Sequence, residues 1–334
     1  PPYKLDPYWI LLSLRQFSNY AKCSINSGGL NLLRRTRCLI FGGNGFIGYN
    51  LTKSLALSND FEISVFAKEI GDIKNVRYII GDFRNDSDLE NSLENIDTVI
   101  HLISSTSPAE SQLDYLEAYQ VDLIQTLKLI EISRKKGINR IVYSSSGGTV
   151  YGQSRYIPID EEHKTEPINN YGVIKLTIEK VLIMYNKLHN MDNVILRISN
   201  PYGLKQREDK SVGAVTILMN KIKRGEPITI YGSGDTVRDY VYIDDVIDAF
   251  IRTIGYTGKE EVFNIGTGQG TSLIELVSSI ENKLGKKAII EYKDARRIDV
   301  QQNVLSIEKA KAELKYQPRY QLDKGLDVYI KIHK

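Results

Sequence analysis

The chain has 334 residues, enough for one large α/β unit or two closely associated domains, and its 42% hydrophobic and 25% charged content is ordinary for a globular protein. Its 44 basic and 41 acidic residues leave a formal charge of +3 with no long basic run, so charge gives a nucleic-acid partner no support. Two cysteines and four scattered histidines argue against a disulfide framework and a structural metal site, and no apolar run approaches the ~20 residues of a membrane helix; a protein of the reducing cytoplasm is expected.

Residues 1–36 do not follow the pattern of the rest. Trp9–Leu14 is too short for a signal-peptide core and lacks a cleavage site, and the stretch to Arg37 is polar and basic, so the segment reads as a disordered extension. From Arg37 onward strands and helices alternate. Cys38–Phe41 has strand character and runs into Gly42, Gly45 and Gly48, after which Ile47, Leu51 and Leu55 recur every four residues. This is strand, tight turn, helix, and the glycines suit a turn whose backbone N–H groups approach a pyrophosphate at the positive end of the helix. Further strands are expected at Glu62–Ala67, Val76–Ile80, Thr98–Leu102, Arg140–Ser144 and Asn193–Ile198, with a long helix over Ser111–Lys136. Near-continuous Val/Ile runs imply a parallel sheet buried on both faces, with functional residues at the C-terminal strand ends.

After Ile198 the character changes. Asn200–Gly203 reads as a turn, while Arg238–Ile243 and Val262–Ile265 are strand-like and could extend the first sheet. The division expected is a dinucleotide-binding domain over 37–200 plus 238–266, and a smaller substrate domain over 201–237 plus 267–334.

Chemistry concentrates at Tyr171 and Lys175. Ile174, Ile178, Val181, Leu182 and Tyr185 make a helical apolar stripe, and both residues lie within or beside it. A lysine there is costly unless its charge is used, and an ammonium one turn from a phenol is expected to lower the phenol's pKa.

The stretches GGNGFIG, SSSGGTVYG (Ser144–Gly152), YGVIK (Tyr171–Lys175), LRISNPYG (Leu196–Gly203) and RDYVYIDD (Arg238–Asp245) resemble the extended short-chain dehydrogenase/reductase family. The likeness is greatest to its UDP-glucose 4-epimerase group. It covers Arg37 to about Gly325 and implies an α/β fold: an NAD(P)-binding Rossmann domain, a doubly wound parallel sheet, with a smaller C-terminal α/β domain for a UDP-sugar. It also implies a homodimer. By this resemblance Tyr171 would be the general acid/base, with Lys175 holding the nicotinamide ribose. Gly42, Gly45, Phe46, Ile47, Gly48, Asp82, Phe83, Leu102, Ile103, Ser104, Ser144 and Ser199 would line the cofactor, with Asp82 meeting the adenine. Asn200, Arg238 and the pair Arg296–Asp299 would hold the sugar nucleotide.

Two positions depart from the family pattern. Ala67, followed by Lys68, stands where NAD-selective members end the second strand in an acid, which leaves NADP open. Gly147 stands where a hydroxyl usually assists the tyrosine, so Thr149 or Ser146 would supply it, with Thr149 favoured. A 4,6-dehydratase is disfavoured because Gly148 and Thr149 replace its Asp-Glu. The expected activity is 4-epimerisation of UDP-glucose, UDP-galactose or their N-acetyl analogues. The alternatives are an NAD(P)H-dependent 4-ketosugar reductase and a non-catalytic dinucleotide-binding protein.

Overall fold

The computed structural model describes residues 34–106, 111, 115–206, 213–295 and 300–332. In chain order come β1 (Thr36–Phe41), α1 (Phe46–Leu55), β2 (Phe61–Ala67), β3 (Arg77–Ile80), α2 (Asp86–Ser92) and β4 (Thr98–His101). A one-turn helix (Tyr115–Ala118) and a π-helical stretch (Tyr119–Ile124) lead into α3 (Gln125–Lys135). Then follow β5 (Arg140–Ser146), α4 (Asn170–His189), β6 (Val194–Ile198), β7 (Asn200–Tyr202), α5 (Ala214–Arg224), β8 (Pro227–Tyr231), β9 (Val237–Tyr242) and α6 (Ile243–Ile254). The chain ends with β10 (Val262–Ile265), β11 (Gly270–Ser272), α7 (Leu273–Leu284), β12 (Ile289–Lys293), β13 (Gln302–Asn303), α8 (Glu308–Leu314) and α9 (Leu322–Ile332).

Seven strands form one parallel sheet in the order β10-β6-β5-β4-β1-β2-β3. Its two faces follow from the period-2 alternation of β1. Cys38 and Ile40 pack with Leu51 and Leu55 of α1 and with Val246 and Phe250 of α6. Leu39 and Phe41 pack on the opposite side with Leu129 of α3 and Ile174, Ile178 and Leu182 of α4. The expected doubly wound sheet is therefore present, with α1 and α6 on one face and α2, α3 and α4 on the other.

Three sequence expectations change. Thr36 already pairs with Phe61, so β1 starts inside the segment assigned to the extension; residues 1–33 lie outside the described residues. Asn200–Tyr202, read as part of a turn, is a strand paired parallel with β9. Of the two strands expected to extend the first sheet, β10 does so beside β6, but β9 pairs with β7, β11 and β13 in a second, smaller sheet. Strand β9 alternates like any other, and a single sequence does not show which edge it joins. A parallel pair of β8 and β12 completes the strands. No helix among the described residues is long and apolar enough to cross a membrane.

Helix α6 joins the two sheets and begins with Asp244 and Asp245, both buried. Asp245 accepts hydrogen bonds from the backbone N–H groups of Arg319 and Tyr320, each at 3.0 Å. Burial pushes the Asp244 carboxyl up to about 7, aided by Asp245 and opposed by Arg319. An acid whose folded pKa lies above its unfolded value stabilises the fold in its protonated form. That contribution is fully present below the ordinary 3.8 and is lost as pH rises through about 7. Asp244→Asn should therefore flatten the loss of thermal stability across this window and raise the melting temperature at about pH 8, read by calorimetry. An unchanged pH dependence would show that Asp244 is not the group responsible.

Candidate active site

The glycine turn lies at the C-terminal end of β1. Gly42 has φ +83°, and its carbonyl accepts the Gly45 N–H at 3.0 Å. A Cβ on Gly48 would stand 2.1 Å from the Gly42 carbonyl oxygen, and one on Gly45 3.2 Å from the same atom. The first turn of α1 has no side-chain cap, so its N–H groups remain for a ligand. Beside it opens a cavity of about 370 Å³ lined by Gly42, Asn44, Gly45, Phe66, Ala67, Lys68, Asp82, Phe83, Arg84 and Ile103, among others. Its apolar floor comes from Phe66 and Phe83, both buried and both in ring contact with Phe41. Leu102 and Ile103 pass behind the turn, 3.2 Å from where a Gly42 Cβ would be. A cradle closed to any Cβ, an uncapped helix start and a flat apolar slot fit a dinucleotide's pyrophosphate and adenine. Phe46 and Ile47, expected at the cofactor, pack against the core and do not line the cavity.

At the end of β2, Lys68 Nζ lies 3.4 Å from Asp82 Oδ2, and Arg84 Nη2 pairs with Glu117 at 2.7 Å. The Asp82 carboxyl is held below its ordinary value by the Arg84 backbone N–H and by Lys68. This end of the cavity thus carries Lys68 and Arg84, each paired with a carboxylate, where NAD-selective members of the resembled family end the second strand in an acid.

Helix α4 brings Tyr171 and Lys175 to the same sheet edge. Asn169 caps it by accepting the Gly172 N–H at 2.8 Å, and the Tyr171 N–H donates to Ser111 Oγ at 3.1 Å. Lys175 is 4% exposed and donates to the Ser144 carbonyl at 2.9 Å. Its Nζ lies 4.9 Å from the Tyr143 ring centroid and 5.4 Å from that of Tyr171. Burial pulls the ammonium down to about 8, against the opposing pull of Asp122 and Glu179. The phenol shifts opposite to the sequence expectation. Burial and then the Asp122 carboxylate push Tyr171 up to about 12, while Ser104 acts to lower it. In the ligand-free protein Tyr171 therefore holds its proton. Lys175 is one turn away in sequence, but the sequence does not reveal that a carboxylate from another element faces the same site.

The loop after β5 accounts for the second departure. A Cβ on Gly147 would lie 2.5 Å from Leu305 Cδ1, so this position points into the small core of Val150, Tyr151, Ile159 and Leu305. A hydroxyl there would not serve Tyr171. Thr149 comes close to α4, since its carbonyl lies 2.8 Å from where a Gly172 Cβ would stand. Among the described residues, Thr149 Oγ1, Ser199 Oγ and Asn200 Nδ2 are buried without a hydrogen-bond partner, as donors and acceptors waiting for a ligand would be. Ser146 Oγ and Asn200 Oδ1 lie 3.8 and 3.9 Å from the position of a Gly148 Cβ, on the other side of the same loop. Arg238 sits on β9, its guanidinium donating to the Val237 carbonyl at 2.9 Å. Arg296 and Asp299 lie outside the described residues. A smaller cavity of about 140 Å³ opens nearby between Tyr231–Thr236, Ala295 and Gln301.

Sequence reasoning missed Asp122 and Arg84. Asp122 had a signal: with Ala118, Thr126 and Leu129 it shares the inward face of a helical stretch, where a carboxylate needs a reason.

A family model described as "NAD dependent epimerase/dehydratase family" matches residues 38–266. The chain belongs to this family. Among curated relatives, the dTDP-4-dehydro-6-deoxyglucose reductase of Escherichia coli is 35% identical over 312 residues, covering 89% of this chain and 98% of the relative. The UDP-glucose 4-epimerase of Mycolicibacterium smegmatis is 30% identical over 87% of this chain and 96% of its own. Among solved structures, the Thermotoga maritima UDP-glucose 4-epimerase with UDP-glucose superimposes with a TM-score of 0.83 at 31% identity, covering 89% of this chain and 98% of that one. The Thermus thermophilus UDP-glucose 4-epimerase complex with NAD gives 0.81 at 28% identity, covering 89% and 98%.

For this epimerase-family chain the cradle makes a direct prediction. Gly48→Ala should weaken NADH binding, followed by fluorescence titration, by at least about tenfold, or 1.4 kcal/mol, with circular dichroism unchanged. Undiminished affinity would mean that the turn does not hold the pyrophosphate.

Proposed function

We propose that this chain is a nucleotide-sugar 4-epimerase acting on UDP-glucose, UDP-galactose or their N-acetyl analogues. The observation that carries the reading is Tyr171 beside a buried ammonium, Lys175, anchored 2.9 Å from the Ser144 carbonyl on the sheet edge that holds the glycine turn. NAD, when bound, supplies the acceptor and donor of hydride at sugar C4. Tyr171, as the phenolate that Lys175 stabilises, takes the 4-OH proton as hydride leaves C4, and the resulting phenol returns that proton to the 4-oxygen when hydride comes back. Thr149, with its unpartnered buried hydroxyl, donates to the same oxygen. Asn200 and Arg238 hold the diphosphate, and in our assignment Arg296 joins them while Asp299 accepts the ribose hydroxyls. The substrate domain of this reading takes in β9 as well, because that strand pairs outside the main sheet.

A second reading, a 4-ketosugar reductase using NADPH, is favoured by Lys68 and Arg84 at the ribose end of the cavity and by the likeness to the Escherichia coli reductase. A protonated Tyr171 also suits delivery of a proton to a 4-keto oxygen. We further propose a homodimer built on the apolar residues that the neighbouring helical stretches expose, Leu116 and Ile124 beside α3 with Met184 and Leu188 of α4. A reducing cytoplasm suits the free, buried thiol of Cys38.

Purified protein given UDP-glucose, UDP-galactose or UDP-GlcNAc without added cofactor should form the 4-epimer. Turnover only with NADPH and a 4-keto sugar would select the reductase, and none in either assay would leave a binding protein. Tyr171→Phe should lower the rate by about 10²–10⁴-fold with nucleotide-sugar affinity retained, and activity within a few-fold of wild type would remove Tyr171 from the mechanism. Thr149→Val should lower kcat more than it raises KM, whereas Ser146→Ala should cost less. The reverse ranking would transfer the role to Ser146.

A further inference from the structure

Lys175 is held by fewer polar contacts than a buried ammonium calls for. Its hydrogen-bond acceptor is the Ser144 carbonyl at 2.9 Å, and among the described residues it forms no ion pair. Glu179, one turn further along α4, is committed to Arg197 of β6 at 2.7 Å. Asp122, in the π-helical stretch, accepts the Ser105 N–H at 2.7 Å and the Ser104 hydroxyl at 3.1 Å. Both carboxylates favour the ammonium without pairing with it. His101 of β4 is kept neutral by burial and by Lys175.

What stands against the ammonium is aromatic. Lys175 Nζ lies over the Tyr143 ring, 4.9 Å from its centroid, and 5.4 Å from that of Tyr171. Both distances fall inside the ~6 Å within which the negative face of a ring attracts a cation. Tyr171 has its own work at the sugar, but Tyr143 has no other task in the reading above. The alternation of β5 puts Ile141 and Tyr143 on the face that α4 covers. There the ring is 1% exposed, and its register partner on β4, His101, stacks on it at 5.6 Å and 27°. His101 is itself held, by Thr126 Oγ1 at 2.8 Å from Nε2 and by the Phe83 ring at 5.5 Å. The plane of the Tyr143 ring is therefore fixed. Its hydroxyl is buried without a hydrogen-bond partner, and burial keeps it protonated. A tyrosine whose hydroxyl bonds nothing contributes the face of its ring.

We propose that Tyr143 is a positioning residue whose ring face holds the Lys175 ammonium, still charged, at the end of β5 where a counter-ion would otherwise be needed. It acts through Lys175 and does not touch the reacting atoms. The inference rests on the reading of Lys175 as the partner of Tyr171, but its test needs no turnover.

The experiment is a pH titration of the whole protein carrying lysine labelled with carbon-13 at Cε, the Lys175 resonance being assigned by its loss in Lys175→Met. Tyr143→Phe keeps the ring and drops the unpartnered hydroxyl, so the Lys175 midpoint should stay within a few tenths of a pH unit of wild type, on the order of the hydroxyl's small share in the ring's field. Filling the same position with mono-, di- and trifluorinated phenylalanine withdraws charge from the ring face at nearly constant shape. The midpoint should then fall stepwise, by about one pH unit across the series. A ring that merely fills space would leave it level, and a level series would overturn the proposal. If the fluorinated proteins do not fold, Tyr143→Leu takes their place. Its midpoint should lie below that of Tyr143→Phe, and equal midpoints would overturn the proposal as well. Because no substrate is present, a protein that shows the stepwise fall but epimerises nothing contradicts only the functional reading. An active epimerase whose Lys175 ignores the ring at position 143 contradicts only this one.

Discussion

Helix α4 is locked onto the sheet by an ion pair sealed from water, and the geometry of the site depends on it. Arg197 of β6 grips Glu179 of α4 through Nε at 3.1 Å and Nη2 at 2.7 Å, with both residues buried. Ser145 of β5 donates to the same carboxylate. Arg197 also donates to the Tyr151 hydroxyl at 2.9 Å, which donates to Asn264 of β10 at 2.6 Å. Loss of one partner from such a pair costs about 3–5 kcal/mol, because the other charge is left buried alone. Glu179 stands one turn beyond Lys175, which stands one turn beyond Tyr171. A helix that slipped by one residue would turn all three by about 100°, so a structural ion pair sets the rotation that aims the phenol and the ammonium at the strand ends.

The site is a balance of buried charges on that frame. Burial favours a neutral lysine and a protonated tyrosine, and acid–base work near neutral pH requires the pair to stay poised between states. Burial pulls the Lys175 ammonium down, and the carboxylates Asp122 and Glu179 act to raise it. Three of the buried polar groups without a partner among the described residues, on Thr149, Ser199 and Asn200, lie just past the ends of β5 and β6. The same edge carries the glycine turn of β1, so one property of parallel sheets brings the cofactor cradle and the acid/base pair together.

Much of this could be read from the chain. The near-continuous apolar strands gave the parallel sheet, because burial on two faces demands such runs, and the stripe of α4 gave the placement of Lys175. What escaped depends on contacts distant in sequence. Asn200–Tyr202 is a strand only because β9 comes beside it, and Pro201 made it look like a turn. Gly147 looked like a missing hydroxyl until Leu305 was seen to occupy the space above it. The tyrosine's shift was misread in direction because Lys175 is visible one turn away in sequence, whereas the burial of the phenol, and after it the carboxylate of Asp122 on another element, come only with the fold. Arg296 and Asp299 lie outside the described residues, so their part rests on the resemblance.

The central claim is that hydride leaves sugar C4 and returns to it without leaving the site. It can be measured with UDP-glucose carrying deuterium at C4, incubated with the protein and no added cofactor, and read by NMR and mass spectrometry of the products. The account predicts UDP-galactose with the deuterium still at C4. Deuterium lost to water, or found on nicotinamide cofactor released into solution, would contradict it.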